Sequence, residues 1–340
     1  MQFKKSANHA PNRARLANWA GLADDEFYTP ADAVADEMHV LAPYLKGKRV
    51  FLPCDDFEKS HFAKFLAAHF KDFGLRGLIA SCYYKTDLFS THKGGFWAEF
   101  DGVQWSDKRY HSGDFRSPKM LALAKQSDII ITNPPFSLFR AFYDWLKKTG
   151  KDFHVLGALN AMHYFNVFDC VASGKVQVKA RCYDFLRPDG TTKAVAVVWF
   201  SSIIMPERIP PFLPLTAKYK PENYPVYENY NAINVDRLAD IPCDFAGEMG
   251  VPVRILDKGN LGQFEILGIL SGWMGESLGM RPMPSPQAWR AMYGCERLSQ
   301  RGGVVYYVQN GIPITPYQRI LIRLKNPPPD AIKVPIKVNG

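Results

Sequence analysis

Apolar residues fall along the first two hundred positions in short runs separated by amphipathic stretches. Residues 31–45 carry apolar side chains at helical spacing and end at Lys46-Gly47. Residues 48–54 (KRVFLPC) are a short apolar run that predicts a buried strand. Asp55 follows as a candidate N-cap, with Glu58 three residues on to close a capping box. The helix predicted next turns Phe62, Phe65, Leu66, His69, Phe70 and Phe73 to one side and stops at Gly74. Residues 78–83 (LIASCY), 128–132 (DIIIT) and 153–159 predict three more strands, with a helix over 138–148 between the last two. Residues 84–113 are an insertion in which Asp101-Gly102, flanked by alternating apolar positions, predicts a hairpin.

Strand, helix, strand in this rhythm implies right-handed crossovers and a parallel sheet covered on both faces. Ligands of such sheets bind at the carboxyl ends of the strands. That rule gathers residues 53–56, 81–83, Asp114 and residues 133–136 around one crevice. Residues 194–204 (AVAVVWFSSII) read as a late strand of the same sheet.

The pattern then changes. Residues 205–230 hold Pro206, Pro210, Pro211, Pro214, Pro221 and Pro225 among five aromatics, which excludes regular helix and central strand. This is an ordered, irregular connection into a second region. There residues 264–270, 304–308 and 319–324 are strand candidates.

Composition bounds the class. The chain has 340 residues, 47% apolar and 22% charged, which is ordinary for a globular protein of two domains. No apolar run approaches the ~18–20 residues of a membrane span. The polar start carries no signal peptide, so a cytoplasmic location is expected. Cys54, Cys82, Cys170, Cys182, Cys243 and Cys295 show no metal spacing and read as reduced, mostly buried thiols, so no metal site is expected. The net charge of +9 suggests a polyanionic partner. Residues 1–22 form a basic arm with Lys4, Lys5, Arg13 and Arg15 and no acid, suited either to phosphates or to a solvated tail.

Asn133-Pro134-Pro135-Phe136 carries the most chemistry. An exocyclic amine is a poor nucleophile because its lone pair is delocalised into the ring. Acceptors on its two protons favour the nucleophilic form as charge develops. The Asn133 side-chain oxygen and the Pro134 carbonyl can supply them. The prolines stiffen the loop and remove competing donors, and Phe136 offers a flat face. The same four residues also fit a rigid turn with Phe136 in the core.

The strand–NPPF–helix unit resembles motif IV of the S-adenosylmethionine-dependent amino-methyltransferases. DEFYTP at 25–30, PCDD at 53–56, LIASCY, GDFRS at 113–117 and TNPPFSLFR at 132–140 occur in that order. Together with MGVPVRILDK at 249–258 and QFEILG at 263–268, they resemble the EcoRI-type family of adenine-specific DNA methyltransferases, over about residues 24–325.

The resemblance implies an α/β fold, with a Rossmann-like methyltransferase sheet and a smaller, mixed α+β DNA-recognition region. It implies S-adenosyl-L-methionine as cofactor, no metal, and transfer to adenine N6. The partner implied is double-stranded DNA, with a homodimer left open. Residues 23–204 would be the cofactor-binding catalytic domain and residues 205–340 the target-recognition region.

Phe27, Tyr28, Thr29 and Pro30 would then pack near the methionine part, while Thr29 and Pro30 also fit a helix start as N-cap and first residue. Pro53, Cys54, Asp55 and Asp56 stand where a Gly-rich turn is usual, with Asp55 favoured for the cofactor's ammonium and Asp56 second. Ser81, Cys82 and Tyr83 end the second strand without the acid that usually holds the ribose, so Ser81 or backbone groups take that role and Tyr83 can stack on adenine. Asp114 can accept from the adenine amine, with Phe115 against its ring. Candidate DNA contacts are Lys85, Lys93, Lys218, Lys220, Arg281, Arg290, Arg297 and Arg301, with His92 beside them. Tyr224, Tyr227, Tyr230 and Trp273 read as core aromatics that can also serve an interface.

Two other readings stay open: the same chemistry on an RNA base or a protein glutamine, and a DNA-binding protein without catalysis. A nicotinamide dehydrogenase is disfavoured, because no G-x-G-x-x-G follows the first strand.

Overall fold

In the computed structural model, which describes residues 29–83, 94–186, 192–296 and 305–335, Val50, Phe51 and Leu52 lose all their exposure together. A strand buried on both faces belongs inside a helix-covered sheet. The described chain opens with α1 (Ala31–Leu41), β1 (Arg49–Leu52), α2 (His61–Ala68) and β2 (Gly77–Tyr83). It continues through β3 (Gly95–Phe100), β4 (Arg109–Tyr110), α3 (Pro118–Gln126), β5 (Ile129–Thr132), α4 (Phe139–Thr149) and β6 (Asp152–Ala158). Then come α5 (Phe165–Ala172), β7 (Gln177–Leu186) and β8 (Thr192–Ser201). The strands form one eight-stranded sheet in the order β4-β3-β2-β1-β5-β6-β8-β7.

β1 is parallel to β2 and β5, and β5 to β6, as expected. The edge differs. β3 runs antiparallel to β2 and β4 antiparallel to β3, so the sheet is mixed. The insertion that carries these strands extends the sheet because β2 has a free edge there and a returning chain pairs antiparallel. The Asp101-Gly102 turn forms, and Phe100 bridges Trp105 across it.

Helix boundaries follow capping chemistry. α1 buries Ala33, Val34, Glu37, Met38 and Leu41, an apolar stripe interrupted by one acid. Glu37 is buried because His154 Nε2 on β6 lies 2.7 Å from its carboxylate. Thr29 is not the N-cap of α1; Pro30 occupies that position and no side chain caps the helix. Asp55 is not the N-cap of α2 either, and no capping box with Glu58 forms. Ser60 caps it, its hydroxyl accepting from the Phe62 and Ala63 amides. Residues 55–59 are spent on a turn, and Glu58 pairs instead with Lys108 at 2.6 Å. Among the cysteines only Cys82 is buried; Cys182 and Cys295 are exposed, so the expectation of mostly buried thiols fails.

The described chain divides into two compact units. One ends at Ala158 and takes in Arg181–Val197; the other is Leu159–Ala180 with the chain from Val198 onward. The second unit therefore includes 159–180, which the sequence boundary at 204 assigned to the first. Its strands are β9 (Ile233–Asn234), β10 (Met249–Pro252), β11 (Phe264–Ile269), β12 (Tyr307–Gln309), β13 (Ile312–Ile314) and β14 (Arg319–Leu324). They make a four-stranded sheet, β11-β14-β10-β9, and the β12-β13 hairpin. The proline-rich segment holds short 3-10 turns, at Pro206–Arg208 and Pro221–Asn223, and a single antiparallel bridge from Val226 to Ile233. Its aromatics are largely core: Tyr219, Tyr224 and Tyr227 are buried. No helix among the described residues is long and apolar enough to cross a membrane.

Candidate active site

The carboxyl ends of β1, β2 and β5 open on one cleft in the first unit, of about 1180 Å3 including the space open to solvent. Thr29, Pro53, Cys54, Asp55, Asp56, Cys82, Tyr83, Asp114, Phe115, Asn133, Pro134 and Pro135 all line it. These are residues the sequence brought together from five separate segments. Pro30 and Ser81 are not in the lining. Ser81 is fully buried and its hydroxyl donates to the Pro53 carbonyl at 3.2 Å, so the ribose role expected of it does not hold. Phe27 and Tyr28 lie outside the described residues.

The floor of the cleft is a carboxylate in an unusual setting. The Asp55 amide extends the β1–β2 ladder, donating to the Ser81 carbonyl at 2.8 Å. Its side chain turns inward. Oδ1 accepts from Ser60 Oγ at 2.5 Å and Oδ2 from Thr132 Oγ1 at 2.7 Å. Burial drives the Asp55 carboxyl up to about 6; the two hydroxyl bonds pull it back down and the charge of Asp56 adds to the rise. Each oxygen of a carboxylate keeps a second acceptor site, so a cation in the cleft can still bind it. Cys54 as a residue is half-buried, but its sulfur lies inside, and this burial, followed by the charge of Asp55, pushes the thiol well above its usual range, which makes it an inert lining residue. Asp56 accepts from the Glu58 amide at 2.9 Å.

Asp114 lines the same cleft. Burial would raise its carboxyl, but hydrogen bonds and charge from Arg116 outweigh this and hold it below the ordinary range. Arg116 grips both its oxygens through Nε and a terminal nitrogen, the latter at 2.6 Å. Phe115 is buried and packs edge-on against Phe142 and Trp145, so only part of its ring is available to the cleft. Tyr83 is half exposed.

Asn133 follows the fully buried run of β5, and the two prolines carry the chain into a 3-10 turn, Phe136–Leu138, that leads into α4. The Asn133 Nδ2 donates to Thr29 Oγ1 at 3.1 Å, which orients the amide. Pro134 is buried, whereas Phe136 is half-buried with its ring edge-on to Phe185 at 6.5 Å. Phe136 is therefore neither a core residue nor part of the cleft lining.

Sequence reasoning missed Ser60, His61, Thr132 and Arg116. All four act through Asp55, Thr29 and Asp114, and only Ser60, a small hydroxyl residue just before a helical stretch, carried a readable signal.

The candidate DNA contacts fare unevenly. Lys85, Lys93, Arg297 and Arg301, like His92, lie outside the described residues. Lys218 stands 3.8 Å from Asp244, Arg290 pairs with Glu296, and Arg281 donates to the Glu228 carbonyl. Lys220 is exposed. Trp273 is half exposed against Phe165, their centroids 4.4 Å apart.

An Asn-Pro-Pro loop at the carboxyl end of a central parallel strand, opening on the same cleft as a row of carboxylates, defines a methyltransferase of the α/β-sheet class. The chain belongs to the family described as adenine-specific methyltransferase EcoRI, whose profile matches residues 16–183 and 177–325. It is 35% identical to the Type II methyltransferase M.EcoRI of Escherichia coli, over 73% of this chain and 86% of that protein. It is 31% identical to the Type II methyltransferase M.MpnI of Mycoplasma pneumoniae, over 77% of this chain and 86% of that protein. Against M.MgeORF184P of Mycoplasma genitalium the identity is 30%, over 77% and 87%.

Proposed function

We infer that this chain transfers a methyl group from S-adenosyl-L-methionine to N6 of an adenine turned out of duplex DNA, leaving S-adenosyl-L-homocysteine. One observation carries the reading: Asn133 and Pro134 line the same cleft as Asp55, Asp56 and Asp114. An amine-activating pair and a cation-binding floor thus face one space. The lining fits the cofactor chemically. Three carboxylates meet two cations, Lys59 and Arg116, and Arg116 is committed to Asp114. Pro53, Phe62, Phe115 and Leu138 supply apolar wall for an adenosine.

When bound, the cofactor supplies an electrophilic methyl on a sulfonium. Asp55, with Asp56 beside it, holds the ammonium end. Tyr83 and Phe115 take the adenine ring and Asp114 its amine. Asn133 Oδ1 and the Pro134 carbonyl accept the two protons of the target amine and fix it in line for attack. The amine becomes acidic once alkylated, so no strong base is needed. Phe136 stacks on the extruded base, because N6 is otherwise paired and buried in the duplex. Exposed Lys220 and the basic residues around it in sequence meet phosphates.

The test is methyl transfer from labelled cofactor to duplex DNA, RNA and protein, with the modified base identified. N6-methyladenine in one sequence context of the DNA is expected. Transfer only to RNA or protein, or none, overturns the reading.

Two predictions follow from individual groups. Asp55 titrates near 3.8 when unfolded and at about 6 when folded. The folded chain holds that proton more tightly, so this group's contribution to stability falls as pH rises between those values. A cationic ligand prefers the ionised carboxylate. Cofactor affinity should therefore drop about tenfold per pH unit well below 6, and Asp55→Asn should bind weakly with that dependence gone. Calorimetric titration at pH 5, 6 and 7 checks this; a parallel pH dependence in the variant sinks the Asp55 assignment.

Phe136→Ala should weaken binding to duplex with a paired target adenine, since a stacking platform contributes ~1–3 kcal/mol per base. Loss should be much smaller when the target lies opposite a mismatch. The melting temperature should move little, because the ring is only half-buried. 2-Aminopurine fluorescence at the target reports extrusion directly; unchanged fluorescence with a large drop in melting temperature would return Phe136 to the core.

A further inference from the structure

Thr29 comes from the segment before α1, and Asn133 from the end of β5, 104 residues later. Their side chains meet at 3.1 Å, with Asn133 Nδ2 donating to Thr29 Oγ1. Thr29 is buried, and it caps nothing: α1 begins without a side-chain cap. Its backbone is anchored as well. The Thr29 carbonyl can only accept, so His61 Nδ1 at 2.7 Å donates to it. His61 is the first residue of α2, whose N-cap Ser60 also holds Asp55. Asp55 in turn accepts from Thr132, the neighbour of Asn133. The catalytic amide is thus reached from two sides: through Thr132 along the chain, and through Thr29 at its side chain.

An amide has a donor end and an acceptor end, and only the acceptor end serves a target amine. A hydroxyl beside the amide can accept from the NH2 or, after a 180° flip, donate to Oδ1. The observed arrangement, with Thr29 accepting from Nδ2, is the one that leaves Oδ1 to a target amine, and an apolar group there would remove the bond altogether. We propose that Thr29 is a positioning residue for Asn133: its hydroxyl accepts from the Asn133 NH2 and His61 holds the Thr29 carbonyl, which reserves the buried Oδ1 for the target amine. The proposal rests on the function inferred above.

Thr29→Val keeps the shape and removes the acceptor; Thr29→Ser keeps the acceptor. Two readouts separate positioning from packing. In the protein without cofactor or DNA, the side-chain NH2 signals of Asn133, assigned by their loss in Asn133→Ala, report the contact in 15N–1H spectra. They should be well dispersed and slow to exchange in the wild type and Thr29→Ser, and should move to ordinary exposed-amide positions in Thr29→Val. In single-turnover assays at saturating cofactor Thr29→Val should lower the rate about 10–100-fold, with affinity for duplex within twofold and Thr29→Ser near wild type. A wild-type rate in Thr29→Val, a Thr29→Ser as slow as Thr29→Val, or Asn133 signals unmoved by Thr29→Val would each overturn the assignment. If the wild type methylates no adenine, the function inferred above fails, while the NH2 signals still decide whether Thr29 holds the amide.

Discussion

Asn133→Ala should lose about 10²–10³ in the rate of methyl transfer while still binding cofactor and duplex. Removing one preorganised acceptor from developing charge has that cost in other enzymes. The loss belongs to the transition state, because the amine of the bound adenine gains positive charge only as the methyl arrives. It should therefore appear in the single-turnover rate and in kcat, with little change in KM. Folding should be little affected, since Asn133 is partly exposed and the substitution leaves the backbone of the loop as it is. Single-turnover kinetics beside gel-shift and calorimetric binding make the check. A near-normal single-turnover rate would remove Asn133 from the chemistry. A collapse of binding would instead make it a ligand contact.

Gly113→Ala should damage the cleft as a structure. Gly113 has φ +62 at the lip beside Asp114, and a Cβ there would stand 2.0 Å from the Cys82 carbonyl oxygen. That oxygen is backbone of the β2 end and has no rotamer to escape through. The left-handed conformation alone costs a non-glycine residue about 1–2 kcal/mol. Overpacking against fixed atoms adds about 1–3 kcal/mol. Gly47 is the control: it has φ +72 with nothing within 4 Å of its Cβ position, so Gly47→Ala should cost only the first amount. Gly113→Ala should also weaken cofactor binding, because Cys82, Tyr83 and Asp114 all move to relieve the clash. Urea melts of the two variants with cofactor titrations would decide. Equal destabilisation of both, with unchanged affinity, would show that the β2 end yields at no cost.

The elements that position the site were readable because their signals are local. An uninterrupted run such as Ile129–Thr132 is buried on both faces wherever it sits, so it declares a central strand without reference to anything else. Asn133-Pro134-Pro135-Phe136 follows that run directly, and the rule that ligands meet α/β sheets at strand ends then places it. β11 and β14 were legible from their apolar residues, although exposed Glu265 interrupts the first and Arg319 and Arg323 bracket the apolar stretch of the second. The order of the motifs along the chain carried the family.

What only the tertiary structure decided is which partner each polar group takes. Asp55 and Ser60 are both acceptable N-caps by residue type, and the turn over 55–59 gives the cap to Ser60 and sends Asp55 into the cleft. Ser81 and Cys82 are both buried neighbours, but strand alternation turns them to opposite faces and only the second reaches the lining. Glu37 reads as a solvated helix acid until His154 is found 2.7 Å away, 117 residues on. Thr29 reads as a helix cap until packing sets Asn133 against it. A hydrophobic run reports its own burial, whereas a hydrogen bond depends on two residues whose separation is set by the whole fold. So the sequence determined the sheet, the loop and the family, and the packing of distant segments determined how the amide and the carboxylates are held.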